Sequence, residues 1–188
     1  TRWAQKVNKD KVLPEYPRPN LVRDSFLNVN GLWEYGINRS RECAEYEGEI
    51  LVPFSPETSL SGVDKIVTPE DFVHYRRTFT LPQGFQKERV LLHFGAVDQE
   101  CEVLVNGKSV GEHKGGYLAF SFDITEFLCE GQNELTVCVW DKTEESAHAR
   151  GKQKYKKGRL MSSLFYTPQS GIWKTVWLES VAEKYVTG

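Results

Sequence analysis

The chain has few of the features that would commit it to a membrane, a nucleic acid or a metal. No apolar run approaches the roughly 18 to 20 residues that cross a bilayer, and the opening Thr1-Arg-Trp-Ala-Gln-Lys-Val-Asn lacks the apolar core of a signal peptide. Neither sign of charge is in large excess: 24 basic against 26 acidic residues leave a net −2, which argues against chain-wide attraction to nucleic acid or anionic lipid. Cysteine is limited to Cys43, Cys101, Cys129 and Cys138 without CxxC spacing, which disfavours zinc. The four read as reduced thiols in a reducing, cytoplasmic setting, although an even count would also permit two disulfides. His74, His93, His113 and His148 share no metal-ligand spacing, and none is nominated as a base. The expectation is therefore no metal, no cofactor, no membrane and no nucleic-acid partner. Thr1 is no initiator and the tail stops soon after the last strand, which is compatible with natural ends, with truncation and with removal of a leader alike.

What is present is a strand-rich pattern. With 188 residues, 39% hydrophobic and 12% aromatic, the chain can bury one sizeable core. Apolar residues alternate at Trp33, Tyr35 and Ile37, at Val73, Tyr75 and Phe79, at Val90, Leu92 and Phe94, at Cys101, Val103 and Val105, and at Leu135, Val137 and Val139, the period of half-buried strands. Leu81-Pro-Gln-Gly84, Asn106-Gly107 and Gly115-Gly116 punctuate them, with Asn-Gly suiting a type I′ hairpin. Helix signal is confined to Asp123-Ile-Thr-Glu-Phe-Leu128, where Asp123 is placed to cap and Glu126 has capping-box spacing. Two long connections, residues 40–71 and 141–170, are where function is expected to reside.

Ordered motifs carry a resemblance. Tyr16-Pro-Arg-Pro-Asn opens it, His74-Tyr-Arg-Arg-Thr-Phe79 and Arg89-Val-Leu-Leu-His-Phe-Gly-Ala-Val-Asp98 follow, then Val105-Asn-Gly, Gly115-Gly-Tyr-Leu-Ala-Phe-Ser-Phe-Asp-Ile-Thr125 and Gly131-Gln-Asn-Glu-Leu-Thr-Val137, and Tyr166-Thr-Pro-Gln-Ser-Gly-Ile-Trp-Lys-Thr-Val-Trp-Leu-Glu179 closes it. Together they resemble the N-terminal sugar-binding domain of glycoside hydrolase family 2, which includes β-galactosidases, β-glucuronidases and β-mannosidases. The resemblance implies an all-β, jelly-roll-like antiparallel sandwich (galactose-binding-domain-like) over residues 16–182, with residues 1–15 as an N-terminal extension and 183–188 as the start of a linker. It also implies, as partners, a downstream immunoglobulin-like domain and a catalytic barrel in the same polypeptide, and carbohydrate; a homo-oligomer is compatible with it. In that family two glutamates on the barrel act with retention, their carboxyls about 5 to 5.5 Å apart, so no catalytic residue is nominated here and the chain alone is expected to be inactive. Asn133-Glu134 imitates the family's catalytic Asn-Glu pair but falls in the sandwich's own Gly-x-Asn segment.

The long loop carrying Arg150, Gln153 and Tyr166 is the candidate sugar-contacting element: Arg150 and Gln153 can bond hydroxyls, and Tyr166 can stack on a pyranose or bond through its phenol. Several family members place an aspartate five residues before the serine or alanine of the Ser-Gly-Ile turn, where this sequence has Phe165. That acidic contact does not carry over. The alternative is an independent lectin-like module in which Trp173 and Trp177, on one face of a strand, form an exposed aromatic platform, although a buried location suits at least one of them better. The run Arg150-Gly-Lys-Gln-Lys-Tyr-Lys-Lys-Gly-Arg159 has six basic residues in ten, yet no nucleic-acid-binding module accompanies it. Gly107-Lys-Ser109 reads as a hairpin rather than a phosphate loop, and the sequon Asn38-Arg-Ser40 is left unassigned.

Overall fold

The alternating segments form strands whose apolar residues converge between two sheets. The computed structural model describes residues 4–154 and 164–187. In chain order its strands are β1 (Ser25–Asn28), β2 (Gly31–Asn38), β3 (Gly48–Val52), β4 (Phe72–Thr80), β5 (Arg89–Phe94), β6 (Val97–Asp98), β7 (Glu100–Val105), β8 (Lys108–Lys114), β9 (Phe120–Asp123), β10 (Gln132–Trp140), β11 (Gly171–Ile172) and β12 (Val176–Val181). One sheet has the order β1-β12-β5-β9 and the other β3-β2-β4-β10-β7-β8, with β11 and β6 forming a separate pair. Every pairing between these strands is antiparallel. The fold is an all-β sandwich.

Its core lies between the facing sheets, where Trp33, Tyr75, Val103, Leu135 and Val137 of the larger sheet meet Val90, Leu92, Phe94, Val176 and Leu178 of the smaller. Each such side chain contributes about 1.5–3 kcal/mol by leaving water. Trp33 and Tyr75 meet edge to face at 6.4 Å, and the Trp33 indole N–H donates to the Val29 carbonyl at 2.9 Å, so the large aromatic brings no unpaired donor inside. The Asn106-Gly107 hairpin forms as expected, with φ of 51° and 75°, the left-handed values a type I′ turn needs.

Three local expectations change. The segment from Asp123 yields only a 3₁₀ turn at Thr125–Phe127. Asp123 ends β9, and its Oδ1 accepts from Thr125 N at 3.1 Å and Thr125 Oγ1 at 2.5 Å, a local bond that favours a turn over a helix. The connection 40–71 contains β3, whose Ile50, Leu51 and Val52 are all buried; a short apolar run without alternation gives no period to read. The expected single strand through Trp173 and Trp177 is broken, because residues 173–175 carry the chain from the β6–β11 pair back to the smaller sheet.

The opening and closing motifs meet on the outer face of the smaller sheet. Along β12, Val176 and Leu178 face the core, which turns Trp177 and Glu179 outward beneath the N-terminal segment. Glu179 is fully buried there. Its carboxylate accepts from the Tyr16 hydroxyl, from Arg18 Nη2 at 2.6 Å and from the Trp177 indole at 2.8 Å, with His93 Nε2 at 3.4 Å and Arg23 Nε at 3.6 Å. Burial alone would raise this carboxyl's pKa, but the bonds from His93, Tyr16, Trp177 and Arg18 outweigh it and hold the group well below the usual carboxylate range.

Candidate functional site

Two chain crossings between the sheets build a polar cluster at one end of the sandwich. The chain leaves β5 through Gly95 and Ala96, forms β6, and enters β7 of the opposite sheet, so Asp98 sits in the crossing. The return crossing supplies β11, with Gly171 opposite Asp98 and Ile172 opposite Val97. Gly171 has φ +80°, and a Cβ there would lie 2.0 Å from the Tyr75 hydroxyl, so glycine is required by both conformation and space. Gly116 is packed as tightly: a Cβ would stand 2.4 Å from Asp98 Oδ1.

Asp98 is only 3% exposed. Its Oδ2 accepts from Gln153 Nε2 at 3.0 Å, and the same amide nitrogen lies 3.3 Å from the Tyr117 hydroxyl. Gln153 Oε1 accepts from Gln169 N at 2.5 Å, so both ends of the amide are engaged and its orientation is fixed. The expected loop residues come together around it. A tight turn with Gly151 at φ +62° bonds Gln153 N to the Arg150 carbonyl at 3.2 Å, and Gln153 then pairs with Tyr166 in an isolated parallel bridge. The Tyr166 hydroxyl accepts from Lys152 N at 3.3 Å. Buried Asp98 and Gln153 thus form a floor, and the exposed rings of Tyr117 and Tyr166 form its rim.

Behind the floor, Ser170 Oγ donates to Asp141 Oδ2 at 2.9 Å while Ser170 N donates to Glu57 Oε2 at 3.1 Å. Burial pushes Asp98 up to about 7, with the Gln153 bond opposing it, Asp141 adding repulsion and His148 offsetting it. Glu57 is likewise raised to about 7 by burial, and Asp141 is raised for the same reason. An acid whose folded pKa exceeds its unfolded value holds its proton longer when folded, so stability falls as pH rises between the two. For Asp98 that window runs from about 4 to about 7. Asp98→Asn is expected to flatten the decline across it by about 2 kcal/mol, measured by urea unfolding at pH 5 and pH 8. An unchanged slope would mean that Asp98 does not hold its proton in the folded state.

The remaining nominations separate. Trp173 borders the cluster: its indole donates to the Gly116 carbonyl at 2.8 Å and its ring meets Tyr117 at 6.1 Å. Trp177 is 2% exposed and stacked on His93 at 4.9 Å, so the two tryptophans do not form an exposed platform. Phe165 is partly exposed with Lys154 Nζ 5.2 Å from its ring centre. Asp98 is a buried acid of the cluster that the sequence does not single out. Its signal was a carboxylate in the otherwise apolar Phe94-Gly-Ala-Val-Asp98, followed downstream by Gly115-Gly116-Tyr117. Asn133 is a structural residue: its amide bonds Cys129 O at 3.1 Å and Gly131 O at 3.2 Å. Of the basic run, residues 155–159 lie outside the described residues.

Residues 60–180 match the family model for glycosyl hydrolases family 2, sugar binding domain. The chain belongs to this family. The family 2 domain is 33% identical over 166 residues to a β-galactosidase of Thermoanaerobacter pseudethanolicus, covering 85% of this chain and 21% of that protein. It is 40% identical over 133 residues to the β-glucuronidase of Felis catus, covering 62% and 20% respectively. Among solved structures, a β-D-glucuronidase of Dictyoglomus thermophilum superposes with a TM-score of 0.63 at 25% identity, over 92% of this chain and 30% of that one. The family 2 domain therefore spans about a fifth of the length of these two curated relatives.

Proposed function

We propose that this chain is the noncatalytic, sugar-contacting domain of a retaining β-glycosidase, and that the Asp98–Gln153 floor with its tyrosine rim touches the substrate. The observation that carries the reading is the Asp98, Gln153, Tyr117 and Tyr166 cluster, which places a carboxyl, an amide and two phenols together at one end of the sandwich. Amide and carboxyl groups bond sugar hydroxyls in pairs, while a tyrosine ring covers the C–H face of a pyranose. Arg150, at the turn that sets Gln153, adds a guanidinium to the same loop. Hydrolysis with retention needs an exposed nucleophile and an acid/base about 5 to 5.5 Å apart across the sugar. The cluster's acids are instead committed to Gln153, Ser170 and Thr143, which supports a noncatalytic role; in this reading the catalytic pair lies on a barrel of the parent polypeptide, beyond an immunoglobulin-like domain, as the resemblance implies. The small share of its relatives that the chain covers supports that placement.

The test has two parts. The purified chain is expected to leave nitrophenyl β-glycosides intact; turnover abolished by Asp98→Asn or Glu57→Gln would reassign catalysis to this domain. Weak pyranose binding followed by NMR is expected to drop about tenfold in Gln153→Ala, because the amide that holds Asp98, Tyr117 and the Gln169 backbone in place beneath the tyrosine rim is lost. Equal binding by the variant would remove Gln153 from the contact surface.

A further inference from the structure

We propose that the groove between the N-terminal segment and the 173–175 turn is a second binding site, for a pyranose carrying an anionic group, carboxylate or sulfate. The groove has a volume of about 350 Å³, is walled by Leu13, Pro17, Trp173 and the largely buried Trp177, and has Arg18 and Lys174 beside it. Mostly apolar walls with a few polar groups, at a volume of roughly 300 to 1,000 Å³, are the usual make-up of small-ligand sites.

Its walls are held in place before any ligand arrives. Gly95 lets the turn lie against the end of β5, since a Cβ there would be 2.8 Å from the Lys174 Cβ. Asn30 ties the two sides together: its Nδ2 donates to the Val12 carbonyl at 3.2 Å and to Thr175 Oγ1 at 3.3 Å, while its Oδ1 accepts from Val176 N at 2.9 Å. A preorganised groove loses little ordering entropy on binding. The Thr175 hydroxyl accepts from Asn30 and keeps its own proton to donate.

Charge selects the ligand. Arg18 is neutralised by Glu179 through Nη2, and its Nε is buried without a partner. Lys174 is exposed, makes no ion pair among the described residues, and holds its ammonium 4.8 Å from the centre of the Trp173 ring. An aromatic wall beneath an uncompensated cation suits a sugar that stacks through its C–H face and presents an anion to the rim. The groove shares Trp173 with the Asp98 cluster but none of that cluster's hydrogen-bonding floor.

The 188-residue chain titrated with a methyl uronide, a sulfated glucose and neutral methyl glucoside, followed by tryptophan fluorescence and NMR, tests the site. Anionic sugars are expected to bind, with Lys174→Glu weakening them about tenfold and Lys174→Gln less, while the neutral glucoside binds about tenfold more weakly at this groove. Gln153→Ala is expected to leave the anionic binding unchanged, which separates this site from the proposed substrate contact. The proposal fails if Lys174→Glu binds as well as the parent chain, if Gln153→Ala abolishes the binding, if the neutral sugar binds equally, or if no anionic sugar binds. A preference between the uronide and the sulfated sugar identifies which anion the rim takes.

Discussion

Glu179→Ala is expected to lower stability by about 3 kcal/mol, because it leaves the Tyr16 hydroxyl, the Trp177 indole and the arginines on either side without their shared acceptor. For a domain of this size that is a fall of roughly 6 to 12 °C in the thermal midpoint. Glu179→Gln keeps an acceptor for Tyr16 and Trp177 but not the charge, so an intermediate loss is expected. The pH dependence identifies the charge. A carboxyl depressed in the folded state contributes stability that is fully present above its unfolded pKa of about 4.3 and is lost as pH falls toward its folded value. The parent chain is therefore expected to lose stability below about pH 4.5 more steeply than Glu179→Gln. Urea denaturation between pH 3 and pH 7 checks both claims. An alanine variant within about 1 kcal/mol of the parent would show that the cluster is only loosely coupled to folding.

Gly171→Ala is expected to be at least as damaging, by a different route. At φ +80° an alanine is strained, and its methyl would have to displace the fully buried Tyr75 hydroxyl, which accepts from Ile172 N at 3.3 Å. Strain and overpacking together give a loss of about 3 kcal/mol or more. Tyr75→Phe alone removes one hydrogen bond, worth about 1 kcal/mol. In the double variant the oxygen in the way is gone, so the two losses are expected to add to less than their sum by more than about 1 kcal/mol. The Tyr75 Cζ remains 3.0 Å from the new Cβ, which keeps the rescue partial. Simple additivity in a double-mutant unfolding cycle would refute the proposed clash.

The strands were legible where burial is one-sided. In β2 and β7 one face meets the core while the other stays partly exposed, and the period-2 record in Trp33, Cys101, Val103 and Val105 is what that geometry leaves in a sequence. β3 was not legible because Ile50, Leu51 and Val52 are buried in succession. The break at residues 173–175 was hidden because it depends on Gly95, nearly eighty residues earlier, giving the turn room to approach. The site divides in the same way. Arg150, Gln153 and Tyr166 come from one loop and could be grouped by chain proximity, whereas Asp98 joins them through the pairing of β6 with β11, a contact between distant segments.

The Tyr16 and Arg18 clasp on Glu179 bears on how the domain can be excised. The residues matching the family model begin at 60, yet β2 lies inside the larger sheet between β3 and β4, and β1 lies along β12. A fragment cut at that boundary would expose one side of β4 and one side of β12, and would strip the lid from a buried carboxylate. A fragment that starts at Tyr16 is therefore expected to be more stable than one that starts at residue 60, as urea unfolding of the two would show.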